Sequence, residues 1–179
     1  MSNWKQDGLF SSKDMCWQTP HWLFDELNET FLFNLDAAAT KESSLCIRHL
    51  GPGSSLGEDA LAMERWPTGD SVYNLPGAVW LNPPYGRDVG MWVQKAYEQS
   101  LLDGGRHVVV LTFARTDTRW WHDYAMKASR ILLIKGRLKF RQGEKEGGPS
   151  PAPSAVLIFH PKWESRCLVE TYEQPKHRK

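Results

Sequence analysis

The chain has 179 residues, of which 41% are hydrophobic and 24% are charged, and this composition is typical of one globular domain with a sizeable core. No apolar stretch approaches the roughly 20 residues of a membrane-spanning helix, and the first residues lack a signal-peptide core, so we expect a cytoplasmic protein. The net charge of +1 hides an asymmetry, because residues 1–114 carry 8 Lys/Arg and 14 Asp/Glu whereas residues 115–145 carry 9 Lys/Arg and 3 Asp/Glu. Such a basic block suits contact with nucleic-acid phosphates, although charges that balance in three dimensions give the same pattern.

The N-terminal part begins with a polar segment and continues into a helix. Residues 1–16 are polar, and we expect a flexible arm there. Thr19 and Pro20 are typical of the N-cap and the first residue of a helix, and apolar residues follow at helical spacing. Residues 31–35 predict a short strand that leads into Asp36.

The connection after this strand is irregular. Residues 40–58 are rich in Ser, Gly and Lys, with one weak element near residues 46–47, and residues 59–66 predict a short helix or a turn. The apolar run 78–81 then predicts a buried strand. Asp88 is placed to cap the helix that follows.

The second half of the chain alternates between apolar runs and helical patterns. Residues 107–113 predict a strand buried on both faces of a parallel sheet, followed by a polar turn at 114–118 and a helix around Trp121. The Gly, Pro, Glu and Lys residues of 142–153 predict a loop, and 173–179 predict a disordered tail. Further strands are predicted at 131–134, 138–140 and 155–159.

The alternation of strands and helices predicts an α/β sandwich, with residues 17–172 as a single domain. Ligands of such folds bind outside the carboxyl ends of the strands. Asp36, Asn82 and Arg115 each follow a predicted strand, so we expect them at one rim of the sheet.

The tetrapeptide Asn82-Pro83-Pro84-Tyr85 follows directly after the strand 78–81. Its prolines lack N–H donors and have a fixed φ, and residues that precede a proline are stiffened as well. The amide oxygen and the carbonyls can therefore face a site where no neighbour donates to them. A planar amine could donate both hydrogens there, and the ring of Tyr85 could stack on the ring that carries the amine. An ordinary turn would have the same composition.

In their order along the chain, these residues resemble the small phage-type DNA N6-adenine methyltransferases related to Dam-like enzymes. The resemblance extends from about Trp17 to Phe159. The segments that carry it are 17–20, 33–39, 59–61 with Trp66, 79–86, 114–118, 136–140 and 153–155.

The resemblance implies S-adenosylmethionine as the methyl donor, without a metal. It also implies a Rossmann-like methyltransferase sandwich of mostly parallel strands with a C-terminal antiparallel hairpin. Asn82, Pro83, Pro84 and Tyr85 match the catalytic loop, and Asp36 matches the acidic position near the amino-acid end of the donor. The donor-binding positions that it implies are Trp17, Thr19, Pro20, Asp36, Ala37, Asp59, Leu61 and Asn82.

Two features depart from other donor-binding patterns. The loop after Asp36 has no Gly-x-Gly sequence, which a donor without a phosphate does not require. No clear acid follows a second strand to hold the ribose hydroxyls, and Glu42 and Glu58 are weak candidates.

The resemblance further implies site-specific methylation of adenine N6 in double-stranded DNA. The adenine must be flipped out of the duplex, and Tyr85 would then stack on it. A separate target-recognition domain does not fit in the chain, so we expect the loop 142–153 and the strand before it to read the sequence. The candidate DNA contacts are Arg115, Arg119, Arg137, Lys139 and Arg141, the last three on one face of a strand. We expect a monomer or weak dimer, encoded by a phage or prophage and active in the cytoplasm of a bacterial host cell.

Other functions remain open at this stage. The same loop could methylate an RNA base or a protein glutamine, and an inactive nucleic-acid-binding module could keep the fold. The basic block argues against a protein substrate. The complete tetrapeptide argues against an inactive module.

The aromatic and sulfur-containing residues suggest structural roles for the most part. Trp22, Trp92 and Trp121 lie in predicted helices and are expected in the core, whereas Trp17 is a candidate to cover the donor. Widely spaced cysteines without a CxxC or Cys/His pattern predict reduced thiols and no metal site. They are Cys16, Cys46 and Cys167.

Overall fold

The computed structural model describes residues 17–67, 77–102, 105–143, 145–161 and 166–175. The predicted flexible arm at 1–16 lies outside these ranges, as do residues 176–179 of the predicted tail.

The described part of the chain contains a seven-stranded sheet in the order β2-β1-β3-β4-β8-β5-β9. Four of its six pairings are parallel, and β8 runs antiparallel to both of its neighbours. A separate antiparallel hairpin consists of β6 and β7. The strands are β1 (Leu35–Asp36), β2 (Arg48–His49), β3 (Val79–Leu81), β4 (Val108–Phe113), β5 (Arg130–Ile134), β6 (Lys139–Gln142), β7 (Lys145–Pro149), β8 (Ser154–Phe159) and β9 (Leu168–Tyr172). The predicted α/β fold with a mostly parallel sheet and a hairpin is therefore confirmed.

Helices cover both faces of the sheet. On one face lies α1 (His21–Phe31), which buries an apolar stripe that includes Leu23 and Leu27. The other face is covered by α2 (Val89–Leu101) and the short α3 (Arg119–Asp123), followed by a 3₁₀ turn at Ala125–Lys127. All six residues of β4 are buried, as expected for a central strand with helices on both sides. No helix in the described ranges is long and apolar enough to cross a membrane.

Around α1 the structure differs from the prediction in two details. Pro20 is the N-cap residue, and Thr19 lies one position before it. At the other end, the helix continues through Phe31, and Leu32 adopts a left-handed conformation with φ of 51°. The Asn28 side chain ends the helix by accepting the Phe33 N–H at 2.7 Å, so the predicted strand at 31–35 is wrong except for Leu35.

The predicted loop at 142–153 is also wrong, because it contains β7. This strand pairs with β6 through Arg141↔Glu146 and Gln142↔Lys145, but its residues are exposed or half-buried. No side of β7 is apolar, so the periodicity gives no signal for it. The edge strand β9 was missed for the same reason, since nearly all of its residues are exposed.

The strand register determines which residues meet at the rim of the sheet. β1, β3 and β4 are adjacent and parallel, and Asp36 pairs with Trp80, two residues before Asn82. Asp36 is thus the last residue of β1, and Asn82 and Arg115 follow the ends of β3 and β4, so the three lie at the carboxyl ends of neighbouring strands, as predicted.

Beyond β9 the described chain continues to contact the sheet. Glu173 lies 2.9 Å from the ammonium group of Lys135, and the Gln174 side chain donates to the Lys135 carbonyl at 2.7 Å. For residues 176–179, disorder stays a prediction.

Candidate active site

A cavity opens at the carboxyl ends of β1 and β3. Its volume of about 170 Å³ is far above the roughly 15 Å³ that one water requires, so the cavity can receive part of a larger ligand. Three segments line it: residues 17–19 before α1, residues 36–45 after β1, and residues 80–85 at the end of β3.

Most of the predicted catalytic and donor-binding residues line this cavity. They are Trp17, Thr19, Asp36, Asn82, Pro83, Pro84 and Tyr85. Pro20, Ala37, Asp59 and Leu61 are not among its lining residues. Ala37 is fully buried in the core, Leu61 packs against that core, and Asp59 accepts the Ala62 N–H in a turn. A donor contact for these four residues stays a prediction.

The two polar atoms of the Asn82 amide have different environments. Its Nδ2 donates to the Trp17 carbonyl oxygen at 2.7 Å. Its Oδ1 is buried and accepts no hydrogen bond from any described residue. The next two residues, Pro83 and Pro84, have no backbone N–H to offer. Among the described residues, six buried side-chain atoms lack a hydrogen-bond partner, and Asn82 Oδ1 is the one whose residue lines the cavity, so it is an acceptor that a ligand there could satisfy.

Tyr85 is held firmly in the core beneath the cavity. Its ring stacks on Phe113 with centroids 4.2 Å apart and meets the edge of Phe140 at 5.5 Å. Its hydroxyl donates to the Leu111 carbonyl at 3.4 Å, and burial raises the pKa of the phenol well above its ordinary value. The side chain therefore stays neutral. Because Phe113 covers one face of the ring, stacking on a substrate would have to use the opposite face.

Asp36 is a buried carboxylate, and its hydrogen bonds to backbone N–H groups are long. Its two oxygens accept the Ala38 N–H at 3.4 Å and the Leu45 N–H at 3.3 Å. Burial raises its pKa from 3.8 to about 6, although these two N–H groups act in the opposite direction. Because these two long hydrogen bonds offset only part of the cost of burying the charge, a carboxylate at the wall of a cavity favours a cationic ligand group.

Of the two candidate acids for binding the ribose hydroxyls, only one lies at the cavity. Glu42 lines the cavity, and hydrogen bonds from its own backbone N–H and from Thr40 hold the pKa of its exposed carboxyl below the ordinary value. Glu58 lies elsewhere and accepts the Gly53 N–H at 3.3 Å. Sequence reasoning missed other lining residues in the 36–45 segment, such as Thr40 and Ser43, because polar loop residues carry no periodic signal.

The predicted DNA-binding residues are all solvent-accessible. Arg137, Lys139 and Arg141 alternate with the fully buried Leu138 and Phe140, so they share the outer side of this segment as predicted. Only Lys139 and Arg141 belong to the strand β6, however, because Arg137 lies before its first residue. Lys139 lies 3.4 Å from Glu146 across the hairpin.

Arg115 and Arg119 lie near the same end of the sheet but outside the cavity. Arg115 is exposed just after β4. Arg119 begins α3, and its side chain is 3.8 Å from Asp123, a distance at which an exposed pair contributes little.

The basic block is not one continuous surface. Arg130, the first residue of β5, and Lys135, which follows its last residue, form ion pairs with Glu170 at 2.7 Å and Glu173 at 2.9 Å. Acidic residues of the C-terminal segment thus neutralise part of the charge of residues 115–145. The cations of β6 and of the segments after β4 form the candidate DNA surface, and two of them, Lys139 and Arg119, also lie near the acids Glu146 and Asp123.

The tryptophans mostly follow the predictions. Trp92 and Trp121 are buried in the core, whereas Trp22 is half-buried and stacks on Tyr172 at 6.5 Å. Trp17 lines the cavity and packs edge-on against Phe140 at 5.4 Å.

The described residues include no group of three or more His, Cys, Asp or Glu side chains that could hold a metal ion. Cys46 and Cys167 are free thiols, and Cys16 lies outside the described residues.

The family of the protein follows from comparison with known proteins. A family model described as DNA N-6-adenine-methyltransferase (Dam) matches residues 7–178, which is nearly the whole chain. No curated protein matches the chain. The match covers both the tetrapeptide at residues 82–85 and the hairpin, and the chain belongs to the Dam family of DNA N-6-adenine methyltransferases.

Proposed function

We propose that this protein transfers the methyl group of S-adenosylmethionine to N6 of an adenine that is flipped out of double-stranded DNA. The observation that carries the proposal is the buried Asn82 Oδ1, which faces no described donor in a cavity next to a buried carboxylate. An exocyclic amino group supplies the missing N–H.

The amide oxygen makes the amine a better nucleophile. The lone pair of an aromatic amine is delocalised into its ring. Hydrogen bonds from its two N–H groups to Asn82 Oδ1 and the Pro83 carbonyl would localise that pair and stabilise the positive charge that develops during attack. Each such preorganised contact is worth about 3–4 kcal/mol. Placing the amine against the electrophile accounts for much of the remaining acceleration.

The cavity residues also fit the donor. When bound, S-adenosylmethionine supplies an electrophilic methyl group. The Asp36 carboxylate, with its raised pKa, would hold the ammonium group of the donor. Glu42 is ionised at the cavity wall and would accept hydrogen bonds from the ribose hydroxyls. Trp17 and Leu45 supply apolar surface.

The hairpin would bring the duplex to this cavity. The outer side of β6 carries cations, and its inner side, through Phe140, contacts both Tyr85 and Trp17. Phosphates bound on the outer side would therefore lie one strand away from the catalytic loop. A base inside a duplex cannot reach such a site, so the adenine must leave the stack.

A labelling experiment tests the reaction. The protein is incubated with tritiated S-adenosylmethionine and unmethylated duplex DNA, and the DNA is digested to nucleosides. We expect the label in N6-methyladenine, with the Asn82→Ala variant as background control. Label that enters RNA or a protein glutamine in parallel incubations, but not duplex DNA, would contradict the proposal.

A second experiment tests the DNA surface. Replacing Arg137 and Lys139 by alanine should weaken DNA binding and lower the slope of log K against log [salt] by up to about 2. The matched control replaces Lys127, which precedes β5, and Arg130, the first residue of β5. Both residues lie at the opposite end of the sheet, and the double substitution removes the same charge. Equal loss of affinity in both double variants would show that only net charge matters.

A further inference from the structure

The segment before α1 connects the catalytic loop to the hairpin. The Trp17 carbonyl accepts the Asn82 Nδ2–H at 2.7 Å. The next residue, Gln18, exchanges two backbone hydrogen bonds with Arg141 of β6, at 3.1 and 2.8 Å. The Trp17 ring packs against Phe140, the neighbour of Arg141. Residues 17 and 18 thus form a strap with one end on the catalytic amide and the other end on the hairpin.

The catalytic amide needs such a constraint because its two ends have nearly the same shape. A half-turn about its last bond would exchange Oδ1 and Nδ2. The cavity would then present N–H groups to the substrate amine, which would repel its hydrogens. A backbone carbonyl is only an acceptor, so at 2.7 Å it accepts Nδ2–H and rejects Oδ1.

We propose that the Trp17 backbone carbonyl is the positioning group that orients the Asn82 amide, and that the Gln18–Arg141 backbone bridge holds this carbonyl in place. The proposal rests on the proposed function, since the orientation matters only if Oδ1 accepts the substrate amine. It assigns a role to the main chain of the strap, beyond any contact that its side chains make with the donor.

A pair of variants at Gln18 separates the main chain from the side chain. Gln18→Pro removes the N–H that donates to the Arg141 carbonyl. The control Gln18→Ala removes only the side chain, which lines the cavity, and keeps the N–H. Under single turnover, with donor and DNA saturating, we expect Gln18→Pro to transfer methyl about tenfold more slowly than Gln18→Ala, the effect of one hydrogen bond. The dissociation constants for donor and DNA should agree between the two variants. Equal transfer rates would overturn the proposal.

A measurement without substrate distinguishes a failure of this proposal from a failure of the proposed function. In ¹⁵N-labelled protein, the Asn82 side-chain NH₂ signal is assigned from its loss in Asn82→Ala. We expect its hydrogen exchange to be slow in the wild type and in Gln18→Ala, and about tenfold faster in Gln18→Pro. Equal exchange in all three proteins would refute the strap. If the strap is present but the wild type forms no N6-methyladenine, only the proposed function fails.

Asn82→Asp provides a test if Gln18→Pro does not fold. The new carboxyl can donate to the Trp17 carbonyl only when protonated, so methyl transfer should rise as the pH falls from 8 to 6. The other titratable side chains at this cavity are Asp36, Glu42 and Tyr85. A second carboxylate raises the pKa of Asp36 in the variant, so saturation with donor is verified for both proteins at each pH. We therefore expect no such rise in the wild type at saturating donor. Identical pH profiles for the two proteins would overturn the proposal.

Discussion

Replacing Asp36 by asparagine should stabilise the protein and weaken donor binding at the same time. Burial raises the pKa of this carboxyl from 3.8 to about 6, so the folded protein binds a proton more tightly than the unfolded chain between these pH values. The free energy of unfolding therefore falls as the pH rises through this window. Above pH 6, the cost of keeping the carboxylate buried is fully present, whereas asparagine carries no charge at any pH.

The size of the change in the free energy of unfolding follows from the pKa shift and the hydrogen bonds of Asp36. A rise from 3.8 to about 6 corresponds to about 3 kcal/mol. The carboxylate accepts the N–H groups of Ala38 and Leu45, and an asparagine oxygen can accept only one of them, which costs about 1 kcal/mol. The net gain at pH 7.5 is about 2 kcal/mol, or roughly 4–8 °C in melting temperature for a domain of this size.

Thermal unfolding of both proteins at several pH values measures this gain. The advantage of Asp36→Asn should be largest above pH 7 and should shrink toward pH 4.5, where the wild-type carboxyl is protonated. A wild type that is as stable as the variant at pH 7.5, or a difference that does not change with pH, would refute this account of the carboxylate.

Calorimetric titration of S-adenosylmethionine completes the experiment. An ammonium group beside Asp36 requires the ionised carboxylate, so the wild-type affinity should fall up to about tenfold per pH unit below pH 6. The variant should bind more weakly at pH 7.5, with little dependence on pH between 5 and 7. If Asp36→Asn is more stable than the wild type but binds S-adenosylmethionine with the same affinity, Asp36 is not part of the donor site.

Three further substitutions test the site and its frame. Asn82→Ala should reduce methyl transfer by about 100-fold or more while calorimetry still detects donor binding, and turnover like the wild type would exclude the amide mechanism. Tyr85→Phe should retain transfer within about twofold, because the hydroxyl makes only a 3.4 Å hydrogen bond to Leu111; a large loss would give the hydroxyl a direct role. Gly51→Ala should lower the free energy of unfolding by about 2–3 kcal/mol, because φ is +142° and a Cβ would lie 2.1 Å from the Ala39 carbonyl oxygen. Urea denaturation checks this value, and an unchanged midpoint would contradict it.

The sequence predicted elements whose side chains face the core. The run 108–113 is apolar except for Thr112 because helices cover both of its faces, and the alternation at 137–141 is visible because Leu138 and Phe140 are buried. By contrast, β7 and β9 are held by backbone pairing at exposed positions. Backbone hydrogen bonds do not depend on side-chain type, so such strands leave little trace in composition.

The candidate site was likewise predictable where it depends on buried strands, but not where it depends on backbone contacts. Asp36 and Asn82 follow apolar strands, so their common rim could be derived from the order of the elements. The contact between Asn82 and the Trp17 carbonyl joins residues 65 positions apart through a main-chain atom that every residue has. No pattern of residue types predicts it, and the same holds for the loop residues that close the cavity after β1.

The two polar groups at the cavity wall together argue for a pair of ligands. Asp36 lacks a cationic partner among the groups that contact it, and burial disfavours its charge. Asn82 Oδ1 lacks a donor among the described residues. Both defects lower the stability of the protein alone, and apolar residues at the two positions would remove the cost. The two groups require different partners, because the Asp36 carboxylate requires a positive charge and Asn82 Oδ1 requires a neutral N–H. An ammonium group on one ligand and an amino group on another satisfy both, and this is the combination that transfer from S-adenosylmethionine to adenine provides.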